Sequence, residues 1–158
     1  MEIQIGVGLG PIQFGHQEEQ ITGHLGSPES REYIEFEDAL GDGTKILGYN
    51  DDGLVFNFDS DDDFRLSTVA IREPGHTLFG EDLFGEPKLK VLTHLAQHIQ
   101  EEPVEEDHSD NEAPEYRLVE YAEHGLFLWF DQEILVEIEV GYRFKNDEPV
   151  WPQESGRR

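Results

Sequence analysis

The sequence predicts an α+β protein, built as two tandem helix-plus-antiparallel-sheet units that form one pseudo-symmetric domain. Three observations carry that expectation. Tyr49, Gly53, Leu54, Phe58 and Asp59 are repeated in order and spacing by Tyr121, Gly125, Leu126, Phe130 and Asp131. Upstream of each block, Gly10, Phe14 and Gly15 recur as Gly80, Phe84 and Gly85. Two blocks in the same order imply duplication of one supersecondary unit that buries its apolar face against its twin. Finally, each block follows a segment with helical spacing of apolar residues and is itself a run of strand character. The units span residues 1–74 and 75–148, and residues 149–158 read as a C-terminal tail.

In the first unit, Ile5 to Gly15 is apolar and punctuated by glycine. His16 to Leu25 then reads as a short helix, with Glu18 and Glu19 early, Ile21 and Leu25 four apart, and Gly26 and Pro28 as the stop. Strands follow around Tyr33 to Phe36, Lys45 to Tyr49, Leu54 to Phe58 and Phe64 to Ile71, where β-branched and apolar residues concentrate. Asn50-Asp51-Asp52-Gly53 is a hairpin turn between the second and third. In the second unit, Lys88 to Gln100 is the stronger helix, with Leu89, Leu92, Leu95, Ala96 and Ile99 on one stripe. Glu101 to Glu115 holds eight acidic and no basic residues with two prolines, which predicts a mobile acidic loop. Strands Tyr116 to Tyr121, Leu126 to Phe130 and Ile134 to Val140 complete the unit, and a further strand runs from Tyr142 to Lys145.

Alternate residues of a strand share a face. Leu54, Phe56 and Phe58 align with Leu126, Leu128 and Phe130, so both sets are expected beneath the helices. Their opposite faces differ, with Val55 and Asn57 replaced by Phe127 and Trp129. Strict alternation also puts Ile134, Val136, Ile138 and Val140 together, with Leu135, Glu137 and Glu139 opposite. An aromatic patch beside carboxylates suits a binding anchor. The same residues would equally suit a buried contact between the two units.

Charge is the unusual bulk property: 36 acidic against 11 basic residues, net −25. That balance opposes direct binding to nucleic acid or an anionic membrane and favours a basic partner. Without cysteine, thiol catalysis and disulfides are excluded. Met1-Glu2-Ile3-Gln4-Ile5 has no charged n-region or continuous apolar segment, and no run of about 18 apolar residues follows. The expectation is a cytoplasmic protein that makes no membrane contact.

Motifs for chemistry fall short. Asp59-Ser60-Asp61-Asp62-Asp63 begins like a calcium loop but has Phe64 where glycine is needed and Ala70 where a bidentate glutamate is needed. His94 and His98 stand four apart on the second helix, a spacing that can hold a metal, yet residues 95–97 do not complete a zinc motif. There is no nucleophile motif and no phosphate-binding loop. No catalytic residue, metal or cofactor is therefore expected.

Phe14-Gly15, Leu25-Gly26 and Pro28, with the downstream Tyr49…Gly53-Leu54 hairpin, resemble the units of the beta-lactamase-inhibitor-protein-like fold. The small lipoproteins of outer-membrane assembly look similar. The resemblance implies two units in tandem whose joined sheet offers a concave face to a protein partner. The second unit departs from it, since Gly85-Glu86-Pro87 precedes its helix and no Leu-Gly-x-Pro closes it.

Together these features predict a non-catalytic, acidic protein-binding module. The favoured reading is an immunity protein that neutralises a basic bacterial toxin, a nuclease or similar, by direct binding. Its contact residues would be Phe127, Trp129, Glu137 and Glu139, with Glu105, Glu106 and Asp107 of the acidic segment supplying the field. Two alternatives stay open: a DNA mimic that occupies a nucleic-acid-binding protein, and a metal-dependent protein using His94 and His98.

Overall fold

A computed structural model describes residues 1–37 and 40–152. The chain opens with three short strands, β1 (Glu2–Gln4), β2 (Gly8–Leu9) and β3 (Ile12–Gln13), followed by helix α1 (Glu18–Leu25). Four strands come next: β4 (Ser30–Glu35), β5 (Gly43–Tyr49), β6 (Leu54–Asp59) and β7 (Arg65–Ile71). Short strand β8 (Thr77–Leu78) leads into α2 (Lys88–Ala96). Strands β9 (Val104–Asp107), β10 (Tyr116–Tyr121), β11 (Leu126–Asp131) and β12 (Ile134–Gly141) then precede the hairpin of β13 (Arg143–Lys145) and β14 (Glu148–Val150).

The α+β expectation is corrected by this inventory. Strand accounts for 45% of the described residues and helix for 17%, so the fold is mostly β and not a balanced pair of helix-plus-sheet units. The physical reason lies in segments whose local sequence does not announce strand. The glycine-punctuated start becomes β1 to β3, which with β8 form a four-stranded sheet ordered β3-β2-β1-β8. The acidic segment expected as a mobile loop supplies β9, paired antiparallel with β10. The second helix ends at Ala96, not at Gln100. Of the expected tail, residues 149–150 belong to β14, and residues 153–158 lie outside the described residues.

The main sheet has eight antiparallel strands in the order β4-β5-β6-β7-β12-β11-β10-β9. That order reads the same from either edge: four strands of the first half meet four of the second along the β7·β12 seam, where Ile71 faces Ile138 and Val69 faces Val140. Register also echoes between the halves. A bulge follows Asn57 in the β6·β7 pair and another follows Trp129 in the β11·β12 pair.

One hydrophobic core lies between this sheet and the helices. Leu54, Phe56 and Phe58 are fully buried, as are Leu126, Leu128 and Phe130, and they pack in one cluster with Ile21 of α1 and Val91 and Leu95 of α2. Ile3, Leu9, Ile12 and Phe14 extend the cluster from the small sheet. Each such side chain contributes about 1.5–3 kcal/mol by leaving water. Local capping fits the sequence signals. The Gln17 N–H donates to Gln20 Oε1 at 2.8 Å at the start of α1, and the Gly26 N–H donates to the Thr22 carbonyl at 2.8 Å at its end. The Tyr49 hydroxyl then donates to the Gly26 carbonyl, fastening the helix terminus to β5.

Both repeated hairpins turn through one turn of 3-10 helix, Asn50–Asp52 and Ala122–His124, closed by a left-handed glycine. At Gly125 the requirement is double. Its φ is +61°, and a Cβ there would lie 2.5 Å from the Gly141 carbonyl oxygen. Among the described residues no helix is long and apolar enough to cross a membrane.

Candidate binding face

Alternation along β11 puts Leu126, Leu128 and Phe130 into the core and leaves Phe127, Trp129 and Asp131 half-buried on the opposite side of the sheet. Cross-strand register then decides their neighbours. Phe127 stands between Glu120 of β10 and Glu139 of β12, and Trp129 between Leu118 and Glu137. The sequence-expected set Phe127, Trp129, Glu137 and Glu139 is therefore brought together on the face away from the helices.

Strict alternation along β12 fails at the bulge. Phe130 pairs with Leu135 while Trp129 pairs with Glu137, so Val136 is the extra residue. Leu135 turns into the core and is fully buried. This corrects the expected placement of Leu135 beside the glutamates, and it is the bulge that keeps Glu137 and Glu139 on the aromatic side.

The ring of Trp129 is held by two others. Tyr116 stacks on it with centroids 5.2 Å apart and planes 19° apart, and His108 meets it edge-on at 5.0 Å. Such contacts restrict the motion of the ring. The Tyr116 hydroxyl is held above its ordinary pKa by burial first, then by the charges of Glu137 and Asp131. Sequence reasoning missed Tyr116, Leu118 and His108. The first two were legible, because Tyr116, Leu118 and Glu120 alternate on β10. His108 was hidden, because its segment read as loop.

The two glutamates of β12 differ in kind. Arg72 Nε donates to Glu137 Oε1 at 2.7 Å. Glu139 stands between Phe127 and Ala70, and its carboxylate makes no hydrogen bond or ion pair among the described residues. Burial raises its carboxyl pKa, the charge of Glu137 raises it further, and Arg72 offsets part of the rise.

The acidic segment divides across the sheet. Glu106 pairs with Leu118 and so shares the face of Trp129, where its carboxylate meets His108 Nε2 at 3.0 Å. Glu105 pairs with buried Val119 and lies on the helix side. There it is engaged by Lys88 of α2, with Arg117 Nη1 3.7 Å away. Asp107 accepts the Ser109 N–H at 2.9 Å, and its pKa is lowered by the Ser109 side chain first and by that N–H second. The three acidic residues expected to supply the field thus divide: Glu106 faces the aromatic cluster, and Glu105 is paired with Lys88 on the helix side.

On the first half the equivalent face is self-satisfied. Asn57 Nδ2 donates to Thr68 Oγ1 at 2.9 Å, and Thr44 Oγ1 donates to Asp59 Oδ1 at 2.7 Å. The Asp59–Asp63 run is a structural turn. Asp62 is 6% exposed. Its carboxylate accepts the Ser67 hydroxyl at 2.6 Å and the Tyr142 hydroxyl at 2.9 Å, linking the turn to β7 and to the end of β12. The paired histidines are also engaged: His94 Nε2 lies 3.1 Å from the Leu78 carbonyl oxygen, and His98 stacks on Phe79 with centroids 4.5 Å apart.

No protein-family model, curated protein or solved structure matches this chain.

Proposed function

We propose that this chain is a protein-binding module that captures a basic protein, acting as an immunity protein against a basic bacterial toxin of the nuclease kind. The observation that carries the reading is the rung of Phe127 and Trp129 set among Glu120, Glu137 and Glu139 on the sheet face away from the helices. A net charge of −25 draws a cationic partner in and orients it. Preorganised aromatic rings then supply the short-range energy that slows dissociation. A DNA mimic would engage its protein through spaced carboxylates alone, so the aromatic pair favours a contact anchored by apolar rings. Action in the cytoplasm accords with a chain that has no cysteine.

The test begins with capture from a lysate at low and high salt, followed by kinetics with the basic protein retained. Association is expected to slow steeply as salt rises. Changing Phe127 and Trp129 together to Ala should weaken the complex about 30-fold or more, as expected for loss of at least one hot spot. Salt-independent association, or a double variant that binds as well as the parent, would refute the proposal.

A further inference from the structure

Beside Glu139 the face away from the helices sinks into a recess of about 310 Å³ at the seam of the two halves. Phe127 of β11, Glu139 of β12 and Asp59 of β6 line it, and Tyr142 and Phe144 contribute from the segment that follows β12. Among the described residues, no lysine or arginine lines it. The geometry points to a socket for one cationic side chain, an arginine of the captured protein, held by the Glu139 carboxylate among aromatic rings. This inference rests on the protein-binding reading above.

Two comparisons within the molecule argue for arginine. One rung along the same strand, Glu137 already holds a guanidinium, that of Arg72 at 2.7 Å. Glu139 likewise stands across from an aromatic residue, Phe127, but makes no ion pair of its own among the described residues. Elsewhere the fold seats its own guanidinium on an aromatic ring, with the Arg65 carbon 4.2 Å from the centroid of Trp151. A planar guanidinium can stack on a ring and donate two parallel N–H bonds to one carboxylate, which an ammonium cannot do. The recess offers both surfaces in one place, and its volume of about 310 Å³ is enough to admit one such side chain. Phe144, 60% exposed, stands at its rim.

The experiment titrates the intact chain with N-acetyl-arginine amide, using N-acetyl-norleucine amide as the uncharged control, and follows backbone and aromatic NMR resonances. Saturable shifts centred on Phe127, Gly141, Tyr142 and Phe144 are expected with the arginine probe and absent with norleucine. Glu139→Gln should weaken that binding about tenfold, the loss of one charge-assisted hydrogen bond. Phe144→Ala, at a largely exposed position, should weaken it as well. Shifts spread evenly over the acidic surface, equal response to norleucine, or an unchanged affinity in Glu139→Gln would overturn the inference. The two proposals fail separately. A basic protein held through Phe127 and Trp129 with no arginine response sinks only the socket, whereas a saturable socket without any basic protein partner sinks the capture reading.

Discussion

Replacing Asp62 by Ala should cost about 2–4 kcal/mol of stability. The carboxylate accepts two hydroxyl donors, Ser67 at 2.6 Å and Tyr142 at 2.9 Å. Hydrogen bonds to a charged acceptor are each worth roughly 1.5–3 kcal/mol. Part of that sum is returned, because the variant no longer strips water from a carboxylate. Ser67 also keeps a second acceptor, the Arg65 carbonyl at 3.2 Å. For a chain of this size the loss corresponds to a fall of roughly 5–15 °C in Tm. The assay is urea unfolding of Asp62→Ala, Tyr142→Phe and the double variant, followed by tryptophan fluorescence. A coupling of about 1–2 kcal/mol between the two positions is expected, since they share one bond. pH supplies a second readout. Burial and Asp62 raise the Tyr142 pKa, so its contribution is whole below the ordinary tyrosine value of about 10 and is lost as pH rises above it. Tyr142→Phe should flatten that decline. A loss under about 0.5 kcal/mol with additive effects, or calcium-dependent stabilisation of the parent, would refute the structural role given to this turn.

Face assignment along β11 can be checked by Leu128→Ala, expected to cost about 2–5 kcal/mol as a fully buried leucine. Phe127→Ala, on the half-buried face, should cost clearly less in the same denaturant assay. Glu139→Gln should raise Tm at pH 7. The native carboxyl is raised, so its favourable contribution is present below about pH 4 and lost as pH climbs through the native value. The advantage of the variant should therefore vanish in acid, and a lower Tm at pH 7 would mean that the charge is paired after all. Gly125→Ala should destabilise by more than Gly26→Ala in thermal melts. Both have positive φ, but only at Gly125 would the new Cβ meet backbone, 2.5 Å from the Gly141 carbonyl. Equal effects would show that strain alone governs both sites.

The repeat made much of the sheet legible before any coordinates. The strands around Lys45 to Tyr49, Leu54 to Phe58, Tyr116 to Tyr121 and Leu126 to Phe130 lie where the sequence placed them. The aromatic side of β11 followed from alternation, because a strand flanked by a glycine turn has a fixed phase. The fold is mostly β and not α+β because further strands form where the local pattern announces none. Strands such as β9, whose Val-Glu-Glu-Asp is held by the open edge of β10, carry no local signal. There, tertiary pairing outweighs propensity.

By itself the sequence determined the charge, the core-facing sets Leu54-Phe56-Phe58 and Leu126-Leu128-Phe130, and the aromatic substitution of the second half. These are properties of composition and of a period-two backbone, which need no partner strand. Only the tertiary structure decided that Leu135 turns inward at a bulge, that Glu105 is taken by Lys88, and that Asp59, Phe127, Glu139, Tyr142 and Phe144 surround one recess. The run from Ile134 to Val140 is apolar enough to read in either phase, so its register had to come from β11 and β7. The socket draws on residues more than 80 positions apart, and no local pattern in the chain records that they meet.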